Sequence, residues 1–253
     1  MIKGKISGQC QGFTLLELLL AMFLTAILML GLVQLTTMAG SATRLQENQA
    51  ALQDHARYIS NLFFKAIAQA AFSPEPWNDT FLQTAIGSGT ANDYFANSDR
   101  LVISTWSDRN CFDNINPERD AAGHPRFFIK TSVFDLNSSR HLSRTCRYGP
   151  SPESQVTQIR RQGLVPGIES FQNLFGEDTD NDGNVDRWVQ AGQWLDEKNI
   201  IGIRIALLIA SPDTVTPLIS RTYKVLDTQK LSRPDGKLRD LIDMTLAIRS
   251  RSG

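Results

Sequence analysis

Four aspartates, Asp178, Asp180, Asp182 and Asp186, crowd the stretch FGEDTDNDGNVDRW at 175–188. Carboxylates this close repel one another unless a cation neutralises them. Acids at alternate positions followed by a glycine, here Gly183, suit a hard cation that takes oxygen ligands. In a register like that of an EF-hand, Asp178, Asp180 and Asp182 give side-chain oxygens and Asn184 its backbone carbonyl. Asp186 takes the ninth position, directly or through water. The twelfth position, where an EF-hand has a bidentate Glu, is Val189, and RWVQAGQW at 187–194 reads as strand or loop. The expectation is a Ca2+ loop outside an EF-hand, with a Kd of about 10⁻⁴–10⁻³ M. The alternative is a solvated acidic turn without metal.

Two other groups could do chemistry. Glu17 is the only charged residue between Lys5 and Arg44, set in the leading edge of a long apolar run. A carboxylate at the centre of a membrane helix costs about 2.5–3.5 kcal/mol on insertion scales, so it marks a functional position whose partner must be named. The cysteines are Cys10, Cys111 and Cys146. If Cys10 leaves with a leader, Cys111 and Cys146 remain as a pair. As a disulfide they would close a loop that restrains the unfolded chain by about 3–4 kcal/mol. The alternative is two buried thiols. The residues do not assemble into an enzyme. His55, His124 and His141 are scattered, and Cys-x-x-Cys, His-Glu-x-x-His and Gly-x-Ser-x-Gly are all absent. The Gly-Ser-Gly at 87–89 has no Lys after it and reads as linker rather than phosphate loop.

The elements that must position these residues begin with the apolar run. From Phe13 to Leu35 it is nearly all apolar, long enough as a helix to cross a bilayer core of about 30 Å. Lys3 and Lys5 precede it, which places the start of the chain in the cytoplasm and the rest outside. A cleavable signal peptide would have a shorter apolar region, and a plain anchor would not explain Glu17. The run opens as GQCQGFTLLELLLA at 8–21. A short basic leader ending in Gly, then Phe, then Glu as the fifth residue after the Gly, resembles a type IV prepilin. That resemblance implies a prepilin peptidase cutting between Gly12 and Phe13, with Phe13 as the N-methylated first residue. It also implies that Glu17 pairs with the free amine of an adjacent subunit during assembly. A carboxylate costly in lipid alone becomes tolerable when paired.

No proline lies between Phe13 and Phe72, so one helix is expected over nearly the whole of that span. Its first half, 13–43, is the transmembrane and assembly half. Its second half, 44–72, is amphipathic, with a stripe at Leu45, Leu52, Ala56, Ile59, Phe63, Ala66, Ile67 and Ala70. The globular region, 73–253, shows short β-prone runs at 100–106, 126–134, 141–148, 199–211, 219–226 and 241–250. The expected fold class is α+β and pilin-like: a long N-terminal helix packed on an antiparallel β-sheet domain. The acidic loop in the C-terminal half, after the cysteine pair, resembles that of the PilW-like minor pilins.

With Lys+Arg and Asp+Glu both at 26, the chain has no basic excess that would point to nucleic acid. The resemblance implies a minor type IV pilin that joins a priming or tip complex and is needed for motility and attachment. Its partners would be other minor and major pilins, the peptidase, the inner-membrane assembly machinery and the lipid bilayer. It would span the bacterial inner membrane once, with its C-terminal domain in the periplasm and then at the cell surface. Two other readings stand beside it: a type II secretion pseudopilin, and an adhesin displayed on a pilin helix.

Overall fold

The computed structural model describes residues 14–75 and 84–248. The leader expected at 1–12 and the expected cleavage junction Gly12–Phe13 lie outside these residues. A single helix, α1 (Leu15–Ala68), opens the fold. It ends where Ala71 takes a left-handed φ of 55° and Pro74 forbids continuation. The chain divides into two compact units between Glu47 and Asn48.

Among the described residues, the first unit is helix from Leu15 onward. Its 18-residue window of highest hydropathy averages 2.5 and is not buried by the rest of the protein. Leu15, Phe23, Leu30 and Met38 are all more than 60 % exposed. An apolar helix with no protein around it requires lipid or other helices.

The second unit holds the core. Asn48, Leu52, Ile59, Phe63 and Ile67 form the buried stripe of α1, at helical spacing. Among the described residues ten strands follow: β1 (Leu101–Ser107), β2 (Phe128–Leu136), β3 (Leu142–Gly149), β4 (Val156–Val165), β5 (Ile168–Glu177), β6 (Arg187–Val189), β7 (Ile200–Thr214), β8 (Thr222–Val225), β9 (Thr228–Leu231) and β10 (Lys237–Ala247). They form two four-stranded antiparallel sheets, β1-β2-β3-β4 and β10-β7-β5-β6, and a hairpin of β8 and β9. The single sheet expected from the sequence is therefore two. Phe63 joins them: its ring lies 5.0 Å from Phe134 on β2 and 5.7 Å from Phe171 on β5. The β8–β9 hairpin covers the other face of β7, where Val225 meets Ala206 and Leu208.

Three strands escaped the sequence pattern. β4 is an edge strand with half of its residues exposed and a single one, Val165, buried, so no apolar alternation marks it. β9 is a short strand whose residues are half-buried or exposed. β5 buries Ser170, Gln172 and Asn173, and polar residues rarely announce a core strand. The loop before β1 bonds this strand through one side chain, that of Gln172, and two backbone N–H groups. Ser98 Oγ accepts from Phe171 N–H (3.2 Å), Asn97 O from Gln172 Nε2 (2.7 Å), and Asp99 Oδ2 from Asn173 N–H (2.7 Å).

Asp99 is buried, and its carboxylate also accepts from Asp93 N–H at 3.0 Å. Burial dominates these bonds and pushes the carboxyl up to about 6. A raised carboxyl favours folding below the ordinary aspartate range, and this contribution is lost as pH rises through about 6. Carbon-13 NMR of the Asp99 carboxyl should give a midpoint near 6; titration in the ordinary range would remove burial as the dominant influence.

Candidate functional site

At the head of α1, Thr14 and Glu17 satisfy each other. Thr14 Oγ1 accepts from Glu17 N–H at 3.3 Å, while Glu17 Oε2 accepts from Thr14 N–H at 3.5 Å and from its hydroxyl at 3.4 Å. This is a capping box, in which a Thr and the Glu three residues later reciprocally satisfy N–H groups that a helix start leaves bare. The acid thus has a local role that the sequence reading did not include. Its side chain lies on the exposed surface of the first unit.

The acidic loop, 178–186, connects β5 to β6. These strands pair with Phe175 opposite Val189, Gly176 opposite Trp188, and Glu177 opposite Arg187. Inside the loop, Asp178 is buried and folds the chain around itself: Oδ1 accepts from Asp182 N–H (3.2 Å) and Oδ2 from Gly183 N–H (2.9 Å). Gly183 needs its φ of 86° for this return, and Asn181 takes φ 60° beside it. Asp186 Oδ2 accepts from the N–H (2.7 Å) and hydroxyl (2.6 Å) of Thr179, which closes the far side.

Asp178, Asp180 and Asp186 bring one carboxylate oxygen each within 4.8 Å of one another. Asp182, expected as the third ligand, does not join this group. Its two oxygens accept from Asn184, Oδ1 from the backbone N–H at 2.7 Å and Oδ2 from the side-chain amide at 3.0 Å. Asn184, expected to ligate through its carbonyl, is thereby tied to Asp182. Three carboxylates are the donor chemistry of a hard divalent cation, so the residues present fit Ca2+.

The electrostatics are consistent with this crowding. For Asp180, the largest single influence is the hydrogen bond from Asp182 N–H, which lowers its carboxyl. Desolvation and the charges of Asp182, Asp186 and Asp178 together outweigh it and push the carboxyl up. Asp186 is held low, first by the Thr179 hydroxyl and then by the Thr179 N–H.

The base of the loop is built by residues the sequence reading did not assign. Glu177 is fully buried. Its Oε2 accepts from Arg187 Nε (2.9 Å) and Nη2 (2.7 Å), and its Oε1 from the N–H groups of Leu195 (2.6 Å) and Asp196 (2.9 Å). One carboxylate therefore ties β5, β6 and the segment before β7 together. Below it, Gly176 and Gly202 face each other across β5 and β7. A Cβ on Gly176 would stand 2.8 Å from Val185 Cγ2 and 3.1 Å from the Trp188 ring, so glycine is required there. The signal available in the sequence was a Glu and an Arg flanking the aspartates with opposite charge.

Cys111 and Cys146 are joined as a disulfide, with Cα atoms 5.9 Å apart. The bond fastens the long loop before β2 to the buried face of β3, beside Phe128 and Tyr148. The two-thiol alternative is thereby excluded.

A family model described as type IV pilus-assembly protein W matches residues 126–250, and the prokaryotic N-terminal methylation motif matches residues 8–33. Searches of curated proteins and of solved structures returned no match. The first match contains both the disulfide's Cys146 and the whole acidic loop; the second contains Glu17.

Proposed function

We propose, for a chain that is a PilW-like type IV prepilin by its two family matches, that it is a minor subunit of a priming or tip complex. As a type IV pilin-like protein it takes part in pilus assembly, and its apolar N-terminal helix serves membrane anchoring. The finer reading is carried by one observation: Glu17 is the single charged residue in the exposed apolar stretch 15–43 of α1. A helix so exposed, with one buried-in-lipid carboxylate, is suited to join others like itself through a charge pair at fixed depth.

In this reading the peptidase cuts between Gly12 and Phe13 on the cytoplasmic side, the globular unit enters the periplasm, and assembly then carries it to the cell surface. Pilin subunits are structural, and no enzymatic role is proposed. Mass spectrometry of the protein recovered from membranes should find N-methylated Phe13 as its first residue. A chain beginning at Met1, or trimmed near Ala42, would overturn this reading. The pseudopilin reading is separated by deletion: loss of twitching supports the pilus, and loss of secreted-enzyme release with normal twitching overturns it.

Ca2+ is proposed for the acidic loop on the convergence of Asp178, Asp180 and Asp186. Bound there, the ion would neutralise the three carboxylates, while Glu177 and the Gly183 turn hold the loop around it. Calorimetry on the full chain in detergent should show binding with a Kd of about 10⁻⁴–10⁻³ M. Asp180→Ala with Asp186→Ala should abolish it, and Asp182→Ala should weaken it far less. No heat from the wild type would leave the loop a solvated turn.

A further inference from the structure

The face of β1, β2 and β3 that meets α1 is apolar at one end and cationic at the other. On β2, Lys130, Ser132 and Phe134 alternate and so share a face, and Phe134 stands opposite Arg144 of β3. Phe134 touches Phe63 of α1, so Lys130 and Arg144 lie on the helix-covered side. With Lys65 of α1, they line a cleft of about 500 Å³ whose apolar walls include Leu62 and Phe134 and whose acid is Asp113.

These cations are only partly compensated. Arg144 is half-buried and donates from Nη2 to Ser132 Oγ at 3.3 Å, but its Nε is shut off from solvent without a partner. Burial, and then the charge of Arg144, pull the Lys130 amine below the ordinary lysine range; Asp113 and Asp108 offset this only in part. Among the described residues no ion pair reaches Lys65, Lys130 or Arg144. Like charges held together out of water weaken a fold. A group kept at such a cost is expected where an outside ligand supplies the missing charge.

We propose that this cleft binds an acidic peptide segment of a partner polypeptide, with a carboxylate seated between Lys130 and Arg144 and its methylenes against Leu62 and Phe134. Asp113 opposes a dianion such as phosphate more than a single carboxylate, and the apolar walls suit a side chain rather than a free ion. The inference rests on the second unit alone and does not depend on the pilus reading.

The test uses the full chain in detergent micelles and the peptide acetyl-Ala-Glu-Leu-Glu-Ala-amide, with its Gln counterpart and inorganic phosphate as controls. Calorimetry should give saturable binding for the Glu peptide alone. Lys130→Met and Arg144→Gln should each weaken it at least about tenfold, the loss of one charge-assisted contact. Without peptide, Lys130→Met should melt ~2–4 °C higher than the wild type, because a repelled, desolvated charge has been removed. Unchanged peptide binding in both variants would overturn the proposal. So would phosphate binding as tight as the peptide's, or a lower melting temperature for Lys130→Met, which would make the lysine structural.

Discussion

Glu17→Ala should enter the membrane as well as the wild type and fail to enter a fibre. Removing a carboxylate from an apolar helix relieves up to about 2.5–3.5 kcal/mol of insertion cost, so anchoring should not suffer. What is lost is the charge that a neighbour's amine would meet. An amine left bare in lipid costs several kcal/mol, and incorporation should fall by orders of magnitude. Immunoblots of sheared surface fibres against the membrane fraction read both quantities together. The Thr14–Glu17 capping box adds a second way for the substitution to act, worth about 0.5–2 kcal/mol locally. Glu17→Gln separates the two, since Gln can complete the box without charge. Normal fibre entry by Glu17→Gln would reduce Glu17 to a helix cap and remove the pairing argument.

In the globular unit, the largest loss should come from Glu177→Ala. Its carboxylate is fully buried and accepts four hydrogen bonds, two of them from Arg187. Removing one partner of a buried pair typically costs about 3–5 kcal/mol, because the other charge and the N–H donors are stranded. For a domain of this size the melting temperature should drop on the order of 10 °C. Burial opposes the charged form of Glu177, but bonds from Asp196, Arg187 and Leu195 together outweigh it and hold the carboxyl low. Its stabilisation is therefore present above the ordinary glutamate range and lost as pH falls through its lowered value. Thermal melts of wild type and Glu177→Ala should converge at low pH. A variant that melts within about 1 °C of the wild type at neutral pH would show that the clamp is not structural.

Both Glu17 and the acidic loop were legible because each breaks a local rule: a charge in oil, and like charges side by side. The helix was legible because prolines were absent and its stripe kept helical spacing; Ile59, Phe63 and Ile67 are buried as that spacing required. The division into two sheets was not legible. The loop before β1 bonds β5 through Asn97, Ser98 and Asp99, which accept from the Gln172 side chain and from the N–H groups of Phe171 and Asn173, and partners so distant leave no trace in a local pattern. Asn48 is a similar case. Buried on α1, it accepts from Asp213 N–H at 3.0 Å, and its place in the stripe reads as polar until β7 is present. Asp182 stands outside the group of Asp178, Asp180 and Asp186 for a geometric reason: even spacing along the chain does not survive the turn at Gly183, where its oxygens meet Asn184.

The Phe63 ring between Phe134 and Phe171 has a consequence for the order in which the molecule is made. The helix leaves the ribosome first, and both aromatic neighbours follow much later. Until then the greasy stripe travels uncovered, with strands emerging that have nothing to close upon. Long-range closure of this kind is slow and leaves sticky surface open meanwhile. Phe63 therefore stays open to wrong apolar partners for as long as β5 remains unmade.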